Sequence, residues 1–121
     1  SSLELGRKAL GDLLGQDPHL QAVVCSSDML AHGILVEARA RGLRVPQDLE
    51  VSGFGNADFS AHMLPSITTV HVDGPGIGRL AAQLIIDRCR GVQPEHSVFD
   101  LGFTLIERES TAAESSAINT P

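Results

Sequence analysis

Apolar residues along this chain recur with two different periods, and the switches between them mark out its elements. Leu3, Ala9, Leu10, Leu13 and Leu14 fall on one helical stripe and predict a helix over 2–14. Ser1 and Glu4 fit a capping box at its start; Gly15 ends it, and Pro18 keeps it from resuming. Ala22 to Cys25 then form a short apolar run, which predicts a parallel strand buried on both faces. Ser26, Ser27 and Asp28 supply the hydroxyls and the acid that the free N–H groups of a helix start attract. The helix they open buries Leu30, Ala31, Ile34, Leu35 and Ala38. Arg39 and Arg41 suit its negative end, and Gly42 closes it.

The stretch "LRVPQD" leads into a second strand over 49–54, which completes a strand–helix–strand unit. Its crossover is expected to be right-handed and its strands parallel. The two strand tips, 26–28 and 55–58, then fall at one sheet edge, where two loops can converge on one ligand. Residues 57–66 are irregular, and "ITTVHV" at 67–72 predicts a third strand. Asp73 caps a third helix with Pro75 in its first turn. Ile77, Leu80, Ala81, Leu84 and Ile85 form its stripe, and Gly91 and Pro94 stop it. "HSVFDLGFTLIERES" supplies one or two strands broken at Gly102. From Thr111 the apolar period is lost, which predicts a disordered tail over 111–121.

Composition adds a core type and several exclusions. With four Phe, no Trp and no Tyr among 121 residues, the core must be built from Leu, Val, Ile and Ala. That suits an α/β fold with helices packed on a parallel sheet. The alternation opens on a helix with no strand before it. The expectation is a C-terminal part of a longer protein, or a piece completed by pairing with another chain. A net charge of −6 repels phosphate backbones, and no basic stripe offsets it. This chain is therefore not expected to bind nucleic acid by itself. No apolar run reaches the roughly 18 residues that span a bilayer, and "SSLELGRK" lacks the order of a signal peptide. A cytoplasmic location without membrane attachment is the expectation. Cys25 and Cys89 belong to no CxxC pair and read as reduced core or near-core thiols.

Candidate chemistry is sparse. "GPGIGR" at 74–79 has glycine spacing but lacks the Lys-Ser/Thr of a phosphate loop, and Pro75 removes an N–H; a capped helix start explains it better. Ser27 and Asp28 lie in no nucleophile elbow. His19, His32, His62, His71 and His96 show no metal-ligand spacing. Neither catalytic residues, nor a metal, nor a cofactor is expected. What remains is "SSD" with "GFGN": two hydroxyls, a helix N-terminus and Asn56. These groups could hold a polyhydroxylated or anionic small molecule, or they could be plain turns; chemistry alone leaves both open.

"AVVCSSDMLAHGILVEARARGLRVPQDLEVSGFGN", "LPSITTVHVDGPGIGRLAAQLI" and "ERESTA" resemble the effector-binding core of LacI/GalR-family transcription regulators, over about residues 1–113. "GFGN" and "FDLGFTL" look like the gluconate-operon repressor branch. The resemblance implies a periplasmic-binding-protein-like fold, truncated here to part of its C-terminal lobe. Residues 1–110 would belong to the effector-binding and dimerisation core, with 75–91 as the helix that crosses to the other lobe. It implies a sugar or sugar-acid effector, a homodimer, and operator DNA bound only through an absent N-terminal domain. By position in the motifs, effector contacts fall on Ser27, Asp28, Gly55, Asn56 and Val72, and dimer contacts on Met29, His32, Val36, His62 and Met63. Gly55 and Asn56 stand where many family members keep carboxylates, which favours an acidic ligand. Ile77, Leu80, Leu84 and Ile85 would pack on a lobe that is absent and must find another surface, such as a second copy of the chain. A periplasmic-type sugar-binding protein or an α/β enzyme of the same fold is the alternative.

Overall fold

In order along the chain, the computed structural model has α1 (Leu3–Gln16), β1 (Ala22–Val24), α2 (Asp28–Ala40), β2 (Glu50–Ser52), a 3₁₀ turn (Ser60–His62), β3 (Thr69–His71), α3 (Gly74–Cys89) and β4 (Thr104–Ile106). It describes residues 1–111; 112–121, most of the expected disordered tail, lie outside the described residues. The chain divides into two compact units, residues 1–71 with the segment from Leu105 onward, and Val72–Thr104.

The first unit holds the core. Leu10 of α1 and Ala31, Ile34, Leu35 and Ala38 of α2 pack with Val23, Cys25, Leu49, Val51 and Ile67. α1 and α2 approach unusually closely because glycine faces glycine. A methyl built on Gly33 would stand 2.8 Å from Gly6 Cα, so neither position has room for a side chain. The cap of α1 falls on Ser2 and not on Ser1: Ser2 Oγ accepts from the Leu5 N–H at 3.1 Å. That leaves no acid three residues on to complete a capping box. The helix also runs one residue past Gly15, to Gln16.

β1 and β2 are parallel, with Val23 opposite Val51 and Val24 opposite Ser52. The expected burial of β1 on both faces is not met. Val23 and Cys25 are buried against the helices, but Val24 on the opposite face is 85% exposed. Among the described residues only one face of β1 is covered, so the apolar run overstates the burial. β3 continues the sheet beyond β2 through a parallel bridge between Ser52 and Thr68; Gly53 N–H donates to Thr68 O and Gly55 N–H to Val70 O, both at 2.8 Å. Thr111, expected to open the tail, is instead half-buried, its hydroxyl 2.6 Å from that of Thr68. Next to it, Ser110 is fully buried. It accepts from Val51 N–H, donates through its hydroxyl to Val51 O, and accepts from Thr68 N–H at that hydroxyl. Ser110 thus pins the chain's last described residues between β2 and β3.

The second unit is built around α3. Asp73 caps it by accepting from Gly76 N–H at 3.0 Å, and Pro75 lies in its first turn, as its sequence predicts. No residue of α3 is buried: Ile77, Ile85 and Ile86 are exposed, and Leu80 and Leu84 are half-buried. Cys89, expected near a core, is exposed at the helix end.

Candidate functional site at the strand tips

The site grows from the start of α2. Ser27 is its N-cap, with Oγ accepting from the Leu30 N–H at 3.2 Å and donating to Ser1 Oγ at 3.0 Å. Asp28 follows as the first helical residue. Its N–H donates to Phe54 O at 3.1 Å, which joins the start of α2 to the tip of β2. Its side chain turns inward and is 2% exposed.

Three donors converge on that carboxylate. Oδ2 accepts from the Ala57 N–H at 2.7 Å and from the Ser60 hydroxyl at 2.6 Å, while Oδ1 accepts from the Thr69 hydroxyl at 2.7 Å. The helix N-terminus lies beside the same carboxylate, and among the described residues no ion pair is formed with it. Gly53 makes the approach possible: a methyl there would lie 2.2 Å from Asp28 Oδ1. The same environment raises the Cys25 thiol to about 11, through burial first and the Asp28 charge second. Asp28 therefore faces the protein, with its hydrogen-bonding capacity directed at the loop and not at solvent.

The loop itself is "GFGN". Gly55 has φ 113° with open space where a side chain would be, and Asn56 has φ 54°, in the left-handed region that asparagine tolerates better than most residues. Asn56 N–H donates to Thr69 Oγ1 at 3.1 Å, so one threonine hydroxyl links the loop backbone to Asp28. The Asn56 amide is held at both ends. Oδ1 accepts from Arg108 Nη2 at 2.9 Å, and Nδ2 lies 3.2 Å from His71 Nδ1. Arg108 also donates to Ile67 O at 3.1 Å. Among the described residues, both partners of this guanidinium are neutral oxygens.

Of the residues singled out from the sequence for effector contact, Asp28, Gly55 and Asn56 come together around this loop, with Ser27 next to Asp28 as the helix cap. Val72 opens the second unit and is half-buried. Ser60, Thr69, His71 and Arg108 were not singled out. Thr69 carried one usable signal, a hydroxyl inside a β-branched run. Arg108 sits in "ERESTA", but nothing local tells that it reaches a loop 52 residues earlier. The residues proposed for dimerisation lie on α2 and the 59–63 segment. Met29 and His62 are exposed, while His32, Val36 and Met63 are half-buried. The His32 and Phe59 rings meet at 5.4 Å, so the first turns of α2 lie beside the 3₁₀ turn. Among the described residues no cluster of three or more His, Cys, Asp or Glu could hold a metal, and no helix is long and apolar enough to cross a membrane.

Residues 2–111 match the sequence profile of the periplasmic binding protein-like domain. The chain is similar to the HTH-type transcriptional regulator IdnR of Escherichia coli K12, with 33% identity over 105 residues, which is 87% of this chain and 32% of that protein. Among solved structures, it resembles the transcription regulator GntR from Chromobacterium violaceum, with a TM-score of 0.85 and 33% identity over 92% of this chain and 41% of that one. It is equally similar to the transcriptional regulator CelR in its complex with cellobiose, with a TM-score of 0.85 and 33% identity over 90% of this chain and 33% of that one. The chain spans about a third of the length of the curated relatives it matches.

Proposed function

This chain belongs to the periplasmic-binding-protein-like family in its LacI/GalR branch of transcription regulators, and we propose that it senses a small-molecule effector and contributes to self-association. The effector in this reading is a sugar acid, bound on the side of the strand tips where Gly55 and Asn56 lie. Ser27 and Val72 are the further candidate contacts. Operator DNA is contacted by a part of the regulator outside residues 1–110, which serve as the effector-binding and dimerisation core.

The observation that carries the effector class is the Asn56–Arg108 pair. The loop tip presents an amide held by a guanidinium whose partners among the described residues are neutral oxygens. A positive group that meets no carboxylate among the described residues, on a chain of net charge −6, supports a local preference for an anion. The cellobiose complex of CelR supports a saccharide-sized ligand for the fold; the acid is what Asn56 and Arg108 add.

Calorimetry on the full-length protein, titrated with gluconate and with neutral hexoses, tests this. Gluconate is expected to bind more tightly, and Arg108→Met to remove the preference. A preference for a neutral hexose overturns the sugar-acid reading. For self-association, the surface of Met29, His32, Val36, His62 and Met63 is the interface. Met29→Glu with His62→Glu is expected to shift sedimentation from dimer to monomer.

A further inference from the structure

We propose that Asp28 is a positioning residue that couples the strand-tip loop to the proposed interface surface, and that it does not contact the effector. The inference rests on the effector reading above. It assigns to a buried carboxylate a role that its burial and its partners define.

Asp28 is closed to a solute. It is 2% exposed, and three protein donors and the tightly apposed Gly53 surround its carboxylate. Its two oxygens lead in different directions. From Oδ1 the path runs through the Thr69 hydroxyl to the Asn56 N–H, and across the Asn56 side chain to Arg108 and His71. From Oδ2 it runs to Ser60, first residue of the turn that ends at His62, and to Ala57 between the two. Asp28 is itself the first residue of α2, directly before Met29 and one turn before His32, whose ring meets Phe59. Both pieces of the interface surface, the start of α2 and the 59–63 turn, therefore hang on the carboxylate that also fixes Asn56.

A shift of Asn56 on ligand binding has two routes. It stretches the Asn56–Thr69 bond, or it passes through Thr69 to Asp28 and on to Ser60. The second is favoured because the first leaves a half-buried N–H without its acceptor. The link is a coupling free energy between two sites, and it acts equally in both directions.

The test separates the two arms at Thr69 and Ser60 and leaves the side chains named for effector and dimer contact in place. Thr69→Val cuts the Oδ1 arm, Thr69→Ser retains it, and Ser60→Ala cuts the Oδ2 arm. In the full-length protein, the dimer dissociation constant is measured by sedimentation with and without gluconate as the probe. Gluconate is expected to shift that constant by about fivefold or more in the parent and in Thr69→Ser. The shift is expected to vanish in Thr69→Val and Ser60→Ala, each compared at saturating gluconate with its own ligand-free dimer. An undiminished shift in both overturns the proposal. Hydrogen exchange on Ser60→Ala needs no ligand. Protection of the Gly55 and Asn56 amides is expected to fall about fivefold or more, although Ser60 touches neither. Unchanged protection there overturns the proposal, whatever gluconate does. Absence of gluconate binding to the parent sinks the sugar-acid reading, and the exchange result then decides the role of Asp28 alone.

Discussion

α2 and α3 follow the same local rules and end in opposite situations. Each has a side-chain N-cap, Ser27 in one and Asp73 in the other, and an arginine in its last turn. Each is followed by a glycine in the left-handed region, Gly42 at φ 76° and Gly91 at φ 79°. Each shows an apolar stripe of helical period. Yet α2 buries six of its residues and α3 buries none. Caps and periodicity establish that a helix forms and which face is apolar. They carry no information on what that face meets, because burial depends on segments distant in sequence.

Core truncation tests this contrast most strongly. Ile34→Ala removes a side chain that is 1% exposed. It should lower the free energy of unfolding by about 2–5 kcal/mol in denaturant titration. Ile85→Ala, at a position 66% exposed, should stay within about 0.5 kcal/mol. Comparable losses at both sites would mean that α3 is covered in solution and that the contrast belongs to the isolated chain alone.

Glycine substitutions sharpen the same comparison with a change of sign. At Gly33 a methyl would meet Leu3 O at 2.2 Å and Gly6 Cα at 2.8 Å. These are backbone atoms, so α1 and α2 must move apart, and Gly33→Ala should cost about 1–3 kcal/mol. At Gly78 of α3 a methyl meets nothing within 4 Å. Gly78→Ala should raise helix stability by about 0.5–1 kcal/mol through backbone entropy. Thermal unfolding followed by circular dichroism distinguishes the two. A loss at Gly78 would show a close neighbour on α3.

What was legible in the sequence was local. Ser27, Asp73, Gly42 and Gly91 mark their helix ends because capping depends on residues within one turn. The parallel pairing of β1 and β2 was legible because a short helix connects them. The exposure of Val24 was not, since an apolar run reports what a residue prefers and not whether a second layer is present. The candidate site divides in the same way. "GFGN" stood out for its glycines, and its positive-φ residues Gly55 and Asn56 lie where the sequence put a turn. Arg108, Ser110 and Thr69 act over 40 residues or more, through hydrogen bonds with no periodic signature. Asp28 shows both sides at once. Its identity fits a helix start, yet its three bonds run to residues 57, 60 and 69.

The smallest expected effect concerns charge, and it too separates the two helices. Among the described residues the ion pairs are Arg7–Glu37, Arg41–Glu37 and Arg44–Asp48, so α2 is joined to α1 through Glu37 and α3 has no counterpart. Hydrogen bonds from Arg41 and then Arg7 hold the Glu37 carboxyl below its ordinary value. A carboxyl depressed in the folded chain binds its proton more weakly there than in the unfolded chain. Its contribution to stability is therefore present above the unfolded value and is lost as pH falls through the folded one. Glu37→Gln should accordingly be the less stable chain at neutral pH, and the gap to the parent should close on acidification through that range. Both arginine side chains are almost half exposed, so the gap should be small and should shrink further with added salt. A gap that persists unchanged at acid pH would trace the loss to packing of the Glu37 side chain between α1 and α2, and not to its charge.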